Sequence, residues 1–268
     1  MKKVLVIGSN SYIGINILKF TENYEKSKIQ ITMVSGSSGE WKYKDLYQYE
    51  SIILLSAIVH RKENKNLKSL YEKINHQLAV EIAIKAKECH VKQFIFMSTA
   101  AVYGDMNGCI TTETKPHPTT LYGLSKLAAE NDIIKLQDNN FNIVIIRSPM
   151  VYGKGCKGNY EKLRRLAAYI PIFPDYHNKR SRIHIDKLSK CIIDIINSNE
   201  SGYVLPQDDE YADTSRIVVN FRNEIGKKTK LIKSFNWIIR FLVTRWKLMN
   251  KVFGDFYYYT DDKCTDYL

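Results

Sequence analysis

The sequence predicts an α/β protein, a doubly wound parallel sheet with a smaller C-terminal region. Three observations predict it. Short β-branched runs alternate with longer segments of helical apolar spacing through the first half of the chain. A glycine-bearing loop directly follows the first of these runs. After Pro149 the texture changes to aromatic, glycine-containing loops with no low-complexity linker. A chain of 268 residues that is 44% hydrophobic and 25% charged has enough apolar surface to offset its ordering entropy.

Buried strands are expected at Val4 to Ile7, Ile29 to Val34, Ser51 to Leu55, Phe94 to Met97 and Ile143 to Ile146. Helices are expected between them, at Ile13 to Tyr24, Leu67 to Cys89 and Leu121 to Asp138, which puts helices on both faces of a parallel sheet. A flavodoxin-like sheet without a nucleotide has the same pattern, so the motifs must decide. Residues 1–148 form the first domain on this reading. Residues 149–268 form a smaller region interleaved with it, with loops at Tyr152 to Tyr160 and Tyr169 to His177 and helices from about Asp186 to Ser198 and about Thr214 to Gly226. The run Phe235 to Phe253, with Arg240, Arg245, Lys247 and Lys251 among its apolar residues, describes either a helix packed on the protein or one lying on a membrane surface. Packing is the preferred reading.

The 40 Lys and Arg against 28 Asp and Glu give a net charge of +12, in scattered groups without a basic tail. Such a surface suits a small anionic ligand, and no nucleic-acid partner is expected. Five cysteines, odd in number and without a C-x-x-C pair, argue against a disulfide framework and a zinc site and fit a reducing cytoplasm. The six histidines have no metal-ligand spacing, so no metal is expected. Val4 to Ile7 is too short for a signal-peptide core, and no apolar stretch reaches about 18 residues, so a cytoplasmic chain that is neither secreted nor membrane-spanning is expected.

The first strand runs straight into Gly8-Ser9-Asn10-Ser11-Tyr12-Ile13-Gly14, which opens the first helix. Glycine in the tight turn lets a pyrophosphate approach the backbone. The helix N-terminus offers free N–H groups and a positive dipole end, and the last glycine permits close packing of helix on strand. Serine at position 11 stands where a further glycine is common, and it fits if its φ is negative. At the end of the second strand, Ser35-Gly36-Ser37-Ser38 has no carboxylate to hold the adenosine ribose, which leaves room for a 2′-phosphate. The cofactor is therefore NAD or NADP.

Phe94 to Met97 ends in Ser98-Thr99, hydroxyls at the carboxyl end of a strand, where open α/β sheets bind ligands. Tyr122 and Lys126, four residues apart, stand one turn from each other on one helix face. An ammonium and an oxidised nicotinamide would stabilise a phenolate at Tyr122 and make it an acid or base near neutrality. Thr99 would donate a hydrogen bond to the reacting oxygen.

With these residues the chain resembles the extended short-chain dehydrogenases, the NAD-dependent epimerase/dehydratase group acting on nucleotide sugars. The resemblance covers nearly the whole chain and implies a Rossmann-type fold. Thr99, Tyr122 and Lys126 match the family's catalytic Ser/Thr, Tyr and Lys, and Lys126 would also hold the nicotinamide ribose. Leu55-Ser56-Ala57 matches the strand end under the cofactor, Asn75 a family asparagine on the next helix, and Pro149, in Arg147-Ser148-Pro149-Met150-Val151-Tyr152-Gly153, a residue bordering the nicotinamide. Lys157, Asn159 and Arg180 resemble residues that grip a nucleotide diphosphate, to which a planar guanidinium is suited. The resemblance further implies a homodimer through the helices Leu67 to Cys89 and Leu121 to Asp138.

Reduction of a 4-keto UDP-linked deoxy amino sugar for surface polysaccharide is the leading expectation. The alternatives are 4-epimerisation with a retained NAD, and a non-catalytic nucleotide-sensing or RNA-binding protein on the same fold. The intact Thr99, Tyr122 and Lys126 set argues against the last. The segment Ser35 to Glu50 and the region after Pro149 are both short for a sugar epimerase.

Overall fold

The computed structural model describes residues 1–24, 28–59, 67–156 and 159–259. In chain order the first part holds β1 (Lys2–Ile7), α1 (Tyr12–Tyr24), β2 (Ile29–Val34), β3 (Ser51–Leu54), α2 (Lys68–Tyr71), a π-helical turn (Glu72–Gln77), α3 (Leu78–Glu88) and β4 (Gln93–Thr99). It continues with β5 (Gly108–Ile110), α4 (Leu121–Ile133), β6 (Asn142–Ser148) and β7 (Met150–Tyr152). The later part holds α5 (Asn159–Ala167), β8 (Ile172–Pro174), β9 (Arg182–His184), α6 (Ile185–Ser198), β10 (Gly202–Val204), α7 (Thr214–Glu224), β11 (Lys230–Ile232), α8 (Asn236–Val243), α9 (Lys247–Phe253) and β12 (Phe256–Tyr258).

Six strands form one parallel sheet in the order β10-β6-β4-β3-β1-β2. All five expected strands lie in it. The sixth, β10, is only three residues long and carries no pattern that a sequence window can register. From β1 the chain moves outward to β2 and then back to β3 on the other side. The carboxyl ends of β1 and β3 therefore flank the point where the winding reverses, the crevice in which such sheets bind ligands.

The strands are apolar on both faces because both are covered. Leu5, Ile7, Ile52, Leu54, Phe94, Phe96, Ile143 and Ile145 face α3 and α4, through Ala83, Ala86, Ala129 and Ile133. Their neighbours Val4, Val6, Ile53, Ile95, Val144 and Ile146 face the opposite way, against Ile17 of α1 and Leu188, Ile192 and Ile196 of α6. Each such side chain taken fully out of water contributes about 1.5–3 kcal/mol. The period-2 alternation thus builds two cores.

The region after Pro149 is woven into this sheet, since β10 pairs with β6 and α6 covers the face it shares with α1. Its remaining helices gather around Phe173, Phe221 and Phe253. Two expectations need correction here. The segment Tyr169 to His177 is not all loop, because β8 pairs with the distant β11, a partner that no local pattern announces. The run Phe235 to Phe253 is two helices rather than one. Thr244 donates its hydroxyl to Phe241 O at 2.9 Å, and Trp246 is extended at φ −124°, ψ 114°. A side chain competing for helical carbonyls marks the break.

Candidate active site

The loop after β1 has the shape that a dinucleotide pyrophosphate needs. Gly8 has φ +135°, and a Cβ there would lie 3.1 Å from the Leu55 Cβ and 3.2 Å from the Ser56 nitrogen. Both neighbours are fixed, since the Leu55 and Ser56 amides donate to Ile7 O at 2.9 and 3.1 Å. Ser11 keeps a negative φ, unlike the positive-φ residues His90 and Asn199. Its hydroxyl accepts from the Gly14 amide at 2.9 Å, so it caps α1. The Tyr12 and Ile13 amides lie in the first turn, which has no intrahelical acceptors to offer, so a ligand could take them. Ser35, at the end of β2, has its hydroxyl 3.0 Å from that of Ser37. These residues fit a dinucleotide, with Leu55 and Ser56 forming the floor. Gly8→Ala is expected to lower dinucleotide affinity and to cost about 1–3 kcal/mol of stability, measured by cofactor titration and urea unfolding. Unchanged values in both would mean that the turn tolerates a side chain.

Asn75 is 1% exposed and lies within the π-helical turn. Its Oδ1 accepts from the Ile58 amide at 2.7 Å, and its Nδ2 donates to Ile58 O at 3.1 Å. Nδ2 also reaches the Ser125 hydroxyl at 3.2 Å, which donates to Tyr122 O at 2.9 Å. Asn75 thus braces the extension of β3, including Ala57, against α4. Its contacts are with protein groups on either side of the crevice.

The Thr99 hydroxyl lies close enough to the Tyr122 hydroxyl to act on it. Close helix approach makes this contact. Thr120 caps α4 by accepting from the Gly123 amide at 3.1 Å, and a Cβ at Gly123 would meet Ala101 O at 2.6 Å. Only glycine lets the helix start that near the turn after β4. Burial pushes the Tyr122 hydroxyl up to about 12, with the Thr99 hydroxyl acting the other way. The lowering expected from Lys126 is not found among the protein's own groups, because the Lys126 ammonium turns away. It donates to Met97 O at 2.8 Å and sits 4.3 Å over the Phe96 ring. Lys126 is 1% exposed. Burial lowers its ammonium to about 7, and the Glu130 charge opposes that shift.

Between about pH 7 and its ordinary 10.5, Lys126 holds fewer protons folded than unfolded. Its destabilising effect is complete below about 7 and fades as pH rises through that window. Lys126→Met is therefore expected to flatten the gain in stability between about pH 7 and about pH 9.5, read by urea unfolding, and to weaken dinucleotide binding. An unchanged stability profile would place the ammonium in water, and unchanged affinity would leave it no part in holding the ribose.

Beneath this pair lies a network that sequence reading missed. Glu130 is 0% exposed and Arg147 5%. Arg147 donates through Nε at 3.0 Å and Nη2 at 2.7 Å to Glu130 Oε2, and through Nη1 at 2.8 Å to the Tyr103 hydroxyl. Ser98 donates to Glu130 Oε1, and the Tyr258 hydroxyl donates to Arg147 O at 2.6 Å. A signal was present, since Tyr122, Lys126, Glu130 and Ile133 fall on one helical face that also carries Ala129. A carboxylate on a sheet-facing stripe calls for a buried cation.

Pro149 is buried just past β6, and the Tyr12 hydroxyl reaches across to Lys154 O at 3.2 Å. Arg180 is half-buried, with Nη1 donating to Gly254 O at 2.8 Å and the guanidinium 5.9 Å from the Phe256 ring centre. Lys157 lies outside the described residues, and Asn159 is described only as the first residue of α5. The structure therefore brings Thr99, Tyr122 and Lys126 together around the end of β4, and the loop residues around the ends of β1 and β3. Of the three expected substrate residues, Arg180 alone has a described side chain.

The family model "NAD dependent epimerase/dehydratase family" matches residues 4–204, and the chain belongs to that family. It is 27% identical over 278 aligned residues to the UDP-glucose 4-epimerase of Vibrio cholerae, covering 94% of this chain and 83% of the relative. Among solved structures, a UDP-glucuronic acid 4-epimerase from Bacillus cereus in complex with NAD has a TM-score of 0.70 at 20% identity, with 86% of this chain and 87% of that one covered. A dTDP-4-dehydrorhamnose reductase from Bacillus anthracis in complex with NADP also has a TM-score of 0.70, at 18% identity, covering 87% and 84%. The family match makes the chain an NAD-dependent enzyme of the epimerase/dehydratase kind.

Proposed function

We propose that this enzyme oxidises and re-reduces the C4 position of a nucleotide-diphosphate sugar, a UDP-sugar by preference, and so acts as a 4-epimerase. The observation that carries the reading is the Thr99–Tyr122 hydroxyl pair at the carboxyl end of β4, beside a loop shaped for a pyrophosphate. With the pyrophosphate of a dinucleotide in that loop, the nicotinamide would take up and return the hydride. As a phenolate, its own proton released to water under the positive charge of an oxidised nicotinamide, Tyr122 would take the proton from the sugar hydroxyl and give it back, and Thr99 would hydrogen-bond the same oxygen while its charge changes. Lys126 holds the nicotinamide ribose, and Arg180 with Lys157 and Asn159 holds the diphosphate. The full-length likeness to a 4-epimerase supports epimerisation over the reduction first expected from the sequence.

Reduction of a 4-keto sugar is the second reading. It is favoured by Ser35, Ser37 and Ser38 at the end of β2, where no carboxylate anchors the adenosine ribose, which suits a cofactor that is exchanged. The purified protein decides between them. Stoichiometric retained NAD with interconversion of UDP-hexoses is the epimerase outcome, and net consumption of NADH or NADPH with a 4-keto UDP-sugar is the reductase outcome. We also infer a homodimer through α3 and α4, where Ile84 and Leu124 are exposed at 40% and 51%. Light scattering showing a monomer at micromolar concentration would remove it.

A further inference from the structure

The helix α8 is apolar on two sides. Ile239 and Val243 point inward, 4% and 7% exposed, while Trp237 and Phe241 point outward at 72% and 55%. The chain on either side continues the outer face, with Phe235 at 55%, Trp246 at 57% and Leu248 at 59%. Single exposed apolar residues are ordinary, but four large aromatics and a leucine within fourteen positions (Phe235 to Leu248) mark a contact surface.

Charge identifies the partner. From Ile225 to Gly254 the chain carries eight Lys and Arg residues and no Asp or Glu. Lys233 and Lys247 lean on carboxylates of neighbouring loops, Asp175 at 3.6 Å and Asp105 at 3.3 Å. Lys230, Arg240, Arg245 and Lys251 have no ion pair among the described residues. The Arg245 guanidinium lies 4.8 Å from the Phe241 ring centre, so cation and aromatic share one side. A second copy of the chain would set like charge against like charge across a two-fold contact. A polyanion in water would satisfy the charges and leave Phe241 and Leu248 wet. An anionic bilayer offers phosphates for the cations and an interfacial layer for the tryptophans.

We propose that the outer face of α8, with Trp237, Phe241, Trp246 and Leu248 among basic residues, docks this enzyme peripherally on an anionic lipid surface. Among the described residues no helix is long and apolar enough to cross a membrane, so the contact lies in the interface. The face belongs to residues beyond the 4–204 family match, and the proposal does not depend on which sugar reaction the enzyme performs.

The test uses the whole chain with vesicles of phosphatidylcholine, with and without phosphatidylglycerol, scored by co-sedimentation and by quenching of tryptophan fluorescence with brominated lipid. Binding is expected only with phosphatidylglycerol, with quenching, and falling steeply with salt. The double variant Trp237→Ser, Phe241→Ser keeps the charge and should weaken binding at least about tenfold. Arg240→Gln with Arg245→Gln should weaken it and leave less for salt to remove. Dinucleotide titration verifies that each variant is folded. The proposal fails if phosphatidylglycerol vesicles do not bind at low salt, or if the Trp237 and Phe241 variant binds as well as the parent. It also fails if a single-stranded oligonucleotide binds more tightly without lipid quenching, or if the face is buried in a salt-resistant dimer.

Discussion

Tyr122→Phe is expected to lower turnover by about 10²-fold or more while leaving dinucleotide affinity nearly unchanged. The substitution removes one oxygen and keeps the ring that packs at the head of α4. Burial holds the hydroxyl as a neutral acid up to about 12, so the site begins with a proton that only a nearby positive charge can loosen. With phenylalanine, on the proposed reading, Thr99 would still hydrogen-bond the sugar oxygen, but no group would remain beside it to exchange the proton. Steady-state kinetics on UDP-hexoses gives the rate, and cofactor titration gives the affinity. Retention of most of the rate would assign proton transfer to another group.

Arg147→Met should be the most destabilising single substitution at the site, at about 3–5 kcal/mol, since it strands a buried carboxylate. Glu130, 0% exposed, would keep only the Ser98 hydroxyl, and Tyr103 would lose its donor. Urea unfolding measures the loss. The double variant with Glu130→Leu should recover much of it, because an apolar pair replaces an ion pair without leaving a lone charge. A loss below about 1 kcal/mol in the single variant would mean that water reaches Glu130. Turnover in the double variant is expected to fall even where stability recovers, because the charge that favours the ammonium form of Lys126 is gone.

Much of the fold could be read from sequence because it rests on local rules. The five long strands are apolar on both faces, and their neighbours are helices with apolar stripes, so periodicity alone places them. The loop from Gly8 to Gly14 and the spacing of Tyr122 and Lys126 were legible for the same reason. What escaped depends on partners far away in the chain. β10 and β8 are three residues each and exist by pairing with β6 and β11. The direction of the Lys126 ammonium is set by Met97 O and Phe96, on a strand nearly thirty residues earlier. Ser11 was legible as a tolerated substitution, whereas its role as the cap of α1 needed the position of the Gly14 amide. Arg180 was expected to grip a diphosphate, and it spends one of its donors on the backbone carbonyl of Gly254.

The π-helical turn at Glu72–Gln77 also sets a phase. An α-helix advances about 100° per residue, and a turn that closes over one more residue than usual delays everything after it by about that angle. The helix therefore enters at Tyr71 on one bearing and leaves at Leu78 on another, with Asn75 on Ile58 and Ala79, Ile82 and Ala86 against the sheet. A natural variant lacking one residue in this stretch would thread a regular helix through the same gap. The lost residue and the lost wide turn cancel, so the alanine seam would still face the sheet, and the local backbone that aims Asn75 would be the part altered. A one-residue deletion here would therefore be felt at the crevice, through Asn75 and Ile58, before it is felt in the core.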